Sequence, residues 1–171
     1  FELGLKQGKT IIVVKDTPGF YTTRILSPFL KEAISIFEEG GDIYQVDKAM
    51  KKFGFAVGPF ALMDEVGIDV VFHVSRTMSE FFENSKSNVF TIEKMKENGY
   101  LGRKTKKGFY LYFDKSKKIV NTRIKKLLNI KSTKKFTDEE IQKRLFETMK
   151  NEAKKCLEKN IIQKPEDGNL G

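Results

Sequence analysis

Few residues of this chain could carry chemistry on their own. Among 171 residues there is one histidine, His73, and one cysteine, Cys156. One of each cannot furnish a His/Cys zinc site. A single cysteine also excludes a disulfide framework and fits a reducing compartment. A histidine base needs a carboxylate to orient it and a cleft to work in. His73 instead lies between Phe72 and Val74 in a helical pattern, and Glu80 is two turns away along it. Asp64 and Glu65 are neighbours in sequence, so on a helix their carboxylates point in different directions and make a poor acid–base pair. Cys156 falls on an apolar helix face, where a thiol is inert core. None of the glycine clusters follows a strand with the Gly-x-Gly-x-x-Gly spacing that cradles a dinucleotide.

What remains is charge. The formal net charge is +9, and it is concentrated. From Arg103 to Lys135 there are thirteen Lys/Arg and one acid, Asp114, whereas the other 138 residues carry nineteen bases and twenty-two acids. Such a segment can attract phosphates on nucleic acid, lipid or coenzyme A. Lysine outnumbers arginine 27 to 5, which fits a solvated surface better than base readout, where arginine forks dominate. The basic residues also lack an aromatic stacking platform, so nucleic acid is not expected as a partner. Lys104, Lys106 and Lys107 flank the loop before Gly108 and are the candidates to meet an anionic ligand.

The elements that would position these residues are mostly helical. Lys9 to Lys15, KTIIVVK, is a β-branched run that reads as one strand buried on both faces. One strand cannot make a sheet, so its partners are expected outside this piece. From Phe20 the period becomes helical: Tyr21, Ile25, Phe29, Ala33 and Ile36 recur at three to four, up to Gly40-Gly41. Pro28 is expected to break or kink this helix, which could begin only there. Asp42 caps a second helix to about Phe53, Gly58-Pro59 opens a third ending at Gly67, and a fourth carries Val70, Val71, Val74, Met78, Phe81 and Phe82 on one face. Val89 to Asn98 reads as a fifth helix, Gly108 to Phe113 as an extended segment, and Asn121 to Leu128 as a short basic helix. Thr137 to Glu140 forms a capping box, and the helix behind it carries Ile141, Leu145, Met149, Ala153 and Cys156 inward. Pro165 begins one more helix. No apolar run reaches the roughly 18 residues of a membrane span. Phe1-Glu2-Leu3-Gly4 is neither a signal peptide nor an initiating start, so the chain reads as a piece of a longer one.

The sequence also resembles itself at an offset of 120. Arg24 meets Arg144, Glu32-Ala33 meets Glu152-Ala153, Phe37-Glu38 meets Leu157-Glu158, and Asp47 meets Asp167, without a gap over about 28 positions. A duplication is expected, with the second copy incomplete because nothing after Gly171 answers FGFAVGPFALMDEVG.

Three blocks carry a resemblance to a known family. Asp16-Thr-Pro-Gly-Phe-Tyr-Thr-Thr-Arg-Ile-Leu-Ser-Pro-Phe-Leu30, then Gly54-Phe-Ala-Val-Gly-Pro-Phe-Ala-Leu-Met-Asp-Glu-Val-Gly-Ile-Asp69, then Gly102-Arg-Lys-Thr-Lys-Lys-Gly-Phe-Tyr-Leu-Tyr112, in that order, resemble the L-3-hydroxyacyl-CoA dehydrogenase family. Asn151-Glu-Ala153 and the tail resemble the start of the second helical copy found in its multifunctional β-oxidation members, and Tyr21-Thr-Thr-Arg24 is most similar to the mitochondrial ones. The resemblance implies a helical C-terminal dehydrogenase domain, preceded by one strand of a Rossmann domain that binds NAD and carries a His–Glu catalytic pair. That pair is absent here, so no catalytic residue is expected in this piece. The implied boundaries are 1–16 for the Rossmann remnant, 17–113 for the first helical domain, 114–136 for a basic linker and 137–171 for the incomplete second copy.

In single-function relatives an Asn precedes the signature Arg and hydrogen-bonds near the substrate carbonyl; Thr23 holds that place here, and its hydroxyl can donate one hydrogen bond. Thr23 is therefore the first candidate to bind substrate, with Lys104 and Lys106 as candidates for coenzyme A phosphates. Arg24 is expected to be structural. The resemblance further implies an acyl-CoA substrate, a thiolase subunit or self-association as partner, and the mitochondrial matrix, with possible association with the inner membrane. A reading from another class is a helical scaffold whose basic segment meets an anionic membrane or an acidic partner.

Overall fold

The computed structural model describes residues 2–81, 89–114 and 117–170. Among them the chain is mostly helical: α1 (Glu2–Lys6), α2 (Thr22–Glu38), α3 (Ile43–Phe53), α4 (Pro59–Val66), α5 (Ile68–Phe81), α6 (Val89–Glu97), α7 (Arg123–Leu127), α8 (Asp138–Glu158) and α9 (Pro165–Leu170). A two-stranded antiparallel ladder joins β1 (Tyr110–Tyr112) to β2 (Lys118–Val120), with Tyr110 opposite Val120. The extended segment expected at Gly108–Phe113 is thus β1; its partner β2, three residues long and mostly exposed, is too short to announce itself.

Helix α2 runs unbroken through Pro28, against the expectation that it could begin only there. Proline has no N–H for the helical ladder and costs about 3 kcal/mol in a helix interior. Ile25, Phe29, Ala33, Ile36 and Phe37 are all buried on one face of α2. Each large apolar side chain so buried contributes about 1.5–3 kcal/mol, enough together to carry the helix across the proline. Asp42 caps α3 by accepting from the Gln45 N–H at 2.8 Å. Thr137 and Glu140 form the expected capping box at the start of α8.

The main core gathers α2, α3, α4, α5, α6, β1 and the first half of α8 around Phe29, Phe37, Phe60 and Phe109. The ring of Phe109 lies 4.8 Å from that of Phe60 and 6.0 Å from that of Phe37. Ile124 and Phe136, from the 114–136 stretch, are buried in this same core. A second, smaller cluster joins Tyr21 and Ile25 to Cys156, Ile161 and Ile162.

Residues 9–14 run without regular structure; Ile12 and Val14 lie against the smaller cluster, and the Lys15 N–H donates to the Ile161 carbonyl at 2.9 Å. A strand needs a neighbour on each side to saturate its backbone groups, and among the described residues this segment has none. Phe82, expected on the face of α5, lies outside the described residues.

Helices α2 and α8 form the central pair. The buried Arg24 Nε donates to Glu152 Oε1 at 2.7 Å, and Arg144 Nε donates to Glu32 Oε1 at 2.6 Å. As one residue number rises by eight the other falls by eight, so the helices run antiparallel. The two bridges are the same pair of residues read from either copy of the repeat. Such reciprocity is what a local two-fold between two like helices produces. The second helix of each copy continues the pattern. Gln142 on α8 donates to the Ala49 carbonyl of α3 at 2.9 Å, and Tyr21 at the foot of α2 donates to the Gly168 carbonyl of α9 at 3.2 Å.

Candidate functional site

Two carboxylates sit in the middle of the first copy. Asp47, on α3, accepts from the N–H groups of Phe60 and Ala61 at the start of α4 (2.8 and 3.0 Å) and from the Tyr110 hydroxyl at 2.8 Å. Asp64, on α4, accepts from the N–H groups of Phe109 and Tyr110 (2.9 and 2.8 Å) and from the Tyr112 hydroxyl at 3.0 Å. Burial pushes both acids up, Asp64 to about 6, while the donors around them pull the other way. Burial and the neighbouring carboxylates push Tyr110 and Tyr112 up as well, so both phenols remain donors.

Close approach of backbone makes this network possible. A Cβ on Gly58 would lie 2.4 Å from Asp47, and one on Gly108 would lie 2.0 Å from Asp64 Oδ1. Both positions therefore require glycine for space rather than for backbone freedom. The donors that meet these acids come from the fold itself, and neither acid opens onto a cleft. The cluster is a clamp: it ties α3 to α4 and α4 to β1, and so fixes where α4 stands. Glu65, next to Asp64, faces outward and pairs with Arg103 at 2.9 Å, so the two adjacent acids diverge as expected.

What α4 is held against is a cavity of about 500 Å³ between α2 and α5. Leu26, Leu30 and Ile34 of α2, Leu62 and Val66 of α4, and Val70, Val71, Val74 and Met78 of α5 make its apolar walls. Thr23 and Ser27 of α2 and Ser75 of α5 line it too. The sequence candidates separate at this point. Thr23 is exposed in the first turn of α2 and lines the cavity. Lys104 and Lys106 do not line it: Lys104 Nζ pairs with Asp69 at 2.5 Å, and Lys106 is an exposed residue with a φ of 58° that ends the 3-10 turn Arg103–Thr105.

Other cations of the basic segment are also engaged within the chain. Lys134 pairs with Glu39, Lys125 donates to the Gly40 carbonyl, and Lys118 lies 4.1 Å from the centre of the Tyr110 ring. Arg24 is structural as expected: it is buried and pairs with Glu152 on α8. His73 is exposed on α5, and Cys156 is buried with its thiol pushed up by that burial, as suits inert core.

Residues 19–112 match the family described as 3-hydroxyacyl-CoA dehydrogenase, C-terminal domain. The chain belongs to this family. The 3-hydroxyacyl-CoA dehydrogenase likeness extends beyond those residues. The fatty acid oxidation complex subunit alpha of Vibrio campbellii is 44% identical over 171 residues, and that of Vibrio cholerae 39% over 169; in each case 99% of this chain is covered. The chain spans 24% of the length of these relatives. Among solved structures, a (S)-3-hydroxybutyryl-CoA dehydrogenase from Ralstonia eutropha superposes with a TM-score of 0.61 at 35% identity, covering 66% of this chain and 41% of its own. The dehydrogenase part of multifunctional enzyme 1 from C. elegans gives a TM-score of 0.67 over 86% of this chain and 34% of its own; at 24% identity it speaks to the fold alone.

NAD, the cofactor implied by the family resemblance, finds no seat in the described residues. A dinucleotide fold needs a parallel sheet with a glycine-rich turn before a helix, and the ladder here is antiparallel and two-stranded.

Proposed function

We propose that the chain is the helical portion of an NAD-dependent L-3-hydroxyacyl-CoA dehydrogenase that acts in fatty-acid β-oxidation as part of a longer, multifunctional protein. In that protein NAD and the His–Glu pair belong to residues other than these, and Lys9–Lys15, irregular here, would pair as a strand only with the sheet that holds them. This chain contributes the apolar cavity along α2, with Thr23 facing the substrate head. The cavity itself carries the reading: in a chain of this family, an apolar slot with hydroxyl groups at its rim suits an acyl thioester.

The test is oxidation of 3-hydroxydecanoyl-CoA by the full-length protein, followed as NADH absorbance. Activity is expected from the full-length protein and not from the 171 residues alone. Thr23→Val should lower kcat/KM roughly ten-fold, the size of one lost hydrogen bond to a reacting group. An inactive full-length protein, or a Thr23→Val variant with full activity, contradicts the reading. Lys104 and Lys106 are secondary candidates for coenzyme A phosphates, read out by charge reversal in the same assay.

A thiolase subunit is the partner we propose, tested by co-purification of the full-length protein. A mitochondrial matrix address rests on the Tyr21-Thr22-Thr23-Arg24 wording, whereas the Vibrio relatives are bacterial; cell fractionation separates the two. For an inner-membrane association, no helix among the described residues is long and apolar enough to cross a membrane, which leaves surface binding as the form to test with anionic vesicles.

A further inference from the structure

The β1–β2 ladder has one closed edge and one open one. The Phe113 N–H donates to the Lys117 carbonyl at 3.2 Å, and the Asn121 N–H donates to the Phe109 carbonyl at 2.9 Å. Backbone bonds of an antiparallel pair recur at every second residue, so Lys117, Ile119 and Asn121 turn their N–H and C=O groups towards β1. Those of Lys118 and Val120 point the other way. The far edge of β1 is covered by its own loop, where the Tyr112 N–H donates to the Lys106 carbonyl at 2.9 Å. The far edge of β2 meets no hydrogen-bond partner among the described residues, and Lys118 and Ile119 are exposed. The N–H and C=O groups of Lys118 and Val120 thus form a short template for another strand.

Beside that edge lies a cavity of about 440 Å³ between α4 and the ladder. Val57, Ala61 and Leu62 form its aliphatic wall, Tyr112 adds a ring, and Lys117 and Lys118 line it from the hairpin. Side chains alternate across a strand, and Lys118 lies opposite Tyr112. A residue of an incoming strand opposite Lys118 therefore points into this same cavity. The acids along the cavity are already met: Glu65 by Arg103 at 2.9 Å, and Asp114 by the Lys117 N–H at 2.6 Å. Neither Lys117 nor Lys118 has an ion pair among the described residues, and Lys118 Nζ stands 4.1 Å from the centre of the Tyr110 ring. An approaching strand meets a positive rim beside an apolar hollow. A second copy of this edge would set these lysines against each other, which cross-strand pairing disfavours. An acidic strand is drawn to them instead.

We propose that the open edge of β2 docks an extended, acid-bearing segment of a partner protein, which adds to the ladder as an antiparallel third strand. Its backbone bonds to that of Lys118 and Val120, alternate apolar side chains enter the cavity beside Tyr112 and Leu62, and its acids answer the charge of Lys117 and Lys118. The edge sets the register, and the cavity sets the preference for apolar residues at every second position. Nothing in this docking mode requires dehydrogenase activity.

The experiment uses the full-length protein and a fluorescein-labelled, acetylated peptide of alternating Glu and Leu. Fluorescence anisotropy should show saturable binding with a Kd below about 1 mM. Hydrogen exchange read by mass spectrometry should find residues 118–120 unprotected in the free protein and protected with the peptide. N-methylation of the peptide's leucines, whose N–H groups face β2 in an antiparallel pair, should weaken binding at least about ten-fold through lost hydrogen bonds. N-methylation of its glutamates should leave binding unchanged. Lys117→Glu combined with Lys118→Glu should weaken binding roughly five-fold at low salt and less at high salt. Val57→Trp, which fills the hollow from an exposed position, should weaken it at any salt, and circular dichroism checks that both variants fold. No binding up to that concentration, equal losses for the two methylated peptides, or equal binding of a peptide of alternating Lys and Leu would overturn the proposal. An edge already protected without peptide would assign it to a second copy or to another part of the same protein, and protection by anionic vesicles but not by the peptide would assign it to a lipid surface; either result overturns it too.

Discussion

Helices α2 and α8 are two copies of one sequence with different work to do. Both keep the Arg and Glu that bridge them, and both bury one apolar face in the shared core. Their remaining faces have diverged. Thr23, Leu26, Leu30 and Ile34 of α2 line the cavity. Their counterparts at the offset of 120 are Lys143, Phe146, Lys150 and Lys154 of α8, and all four are exposed. The likeness between the two helices holds on the pairing surface and not at the pocket. Helix α8 thus braces α2 and brings Lys155 to the rim of its cavity.

The largest effect should come from the bridges, which are equivalent in sequence but not in burial. The side chains of Arg24 and Glu152 are 2% and 4% exposed, those of Arg144 and Glu32 31% and 22%. Removing one partner of a buried pair leaves the other charge stranded. Arg24→Met should therefore cost about 3–5 kcal/mol in urea denaturation. Arg144→Met should cost only about 1 kcal/mol, because both of its acids, Glu32 and Glu39, are partly exposed and solvent screens them. Replacing both members, Arg24→Met with Glu152→Leu, should recover most of the first loss. Equal costs for the two arginines would break the comparison.

The acid clamp sharpens it, because among these 171 residues its Asp47 has a sequence counterpart, Asp167, and its Asp64 does not. Burial raises Asp64 to about 6 in the fold, above its value of about 3.9 in an unfolded chain. The folded protein thus retains a proton that the unfolded chain releases. The stabilisation from this proton is complete below about pH 4 and is lost as the pH rises through about 6. Asp64→Asn should be less stable than the parent by about 1–3 kcal/mol at pH 4.5, since an amide cannot accept from all three donors. The deficit should shrink at pH 7. A deficit that grows with pH would show the carboxylate to be the favoured form.

The smallest effect concerns a surface position. Lys150→Leu, which puts the α2 residue into α8, should change stability by no more than about 0.5 kcal/mol. The reverse exchange, Leu30→Lys, should cost about 1–2 kcal/mol, because Leu30 is packed against the core and the lysine stem can still reach the rim.

The helical architecture was legible in the spacing of apolar residues, and so were the α8 capping box and the repeat. The repeat even held the bridge, since Arg24 and Arg144 share the offset with Glu32 and Glu152. What periodicity could not show is that each arginine reaches across to the other copy, because a period says which face is buried and not against what. Pro28 misled for a related reason: local backbone preference is outweighed by burial that only the packed core reveals. The clamp was missed because Asp47 and Asp64 look like ordinary surface acids on helices. The available signal was their company, Val46 and Ala49-Met50 around the first, Leu62-Met63 before the second, each on a face that otherwise reads as core. Thr23 reached the cavity through its place in the family resemblance, which residue chemistry alone would not have supplied. Lys155 escaped because only tertiary packing brings α8 to the rim.

The inequality of the two copies can be tested directly in the full-length protein by measuring kcat/KM for 3-hydroxydecanoyl-CoA in Leu30→Lys and in Lys150→Leu. The account predicts a loss of at least about ten-fold for the first, from a charge placed in the apolar slot, and no change for the second. Equal losses, or a loss confined to Lys150→Leu, would contradict it.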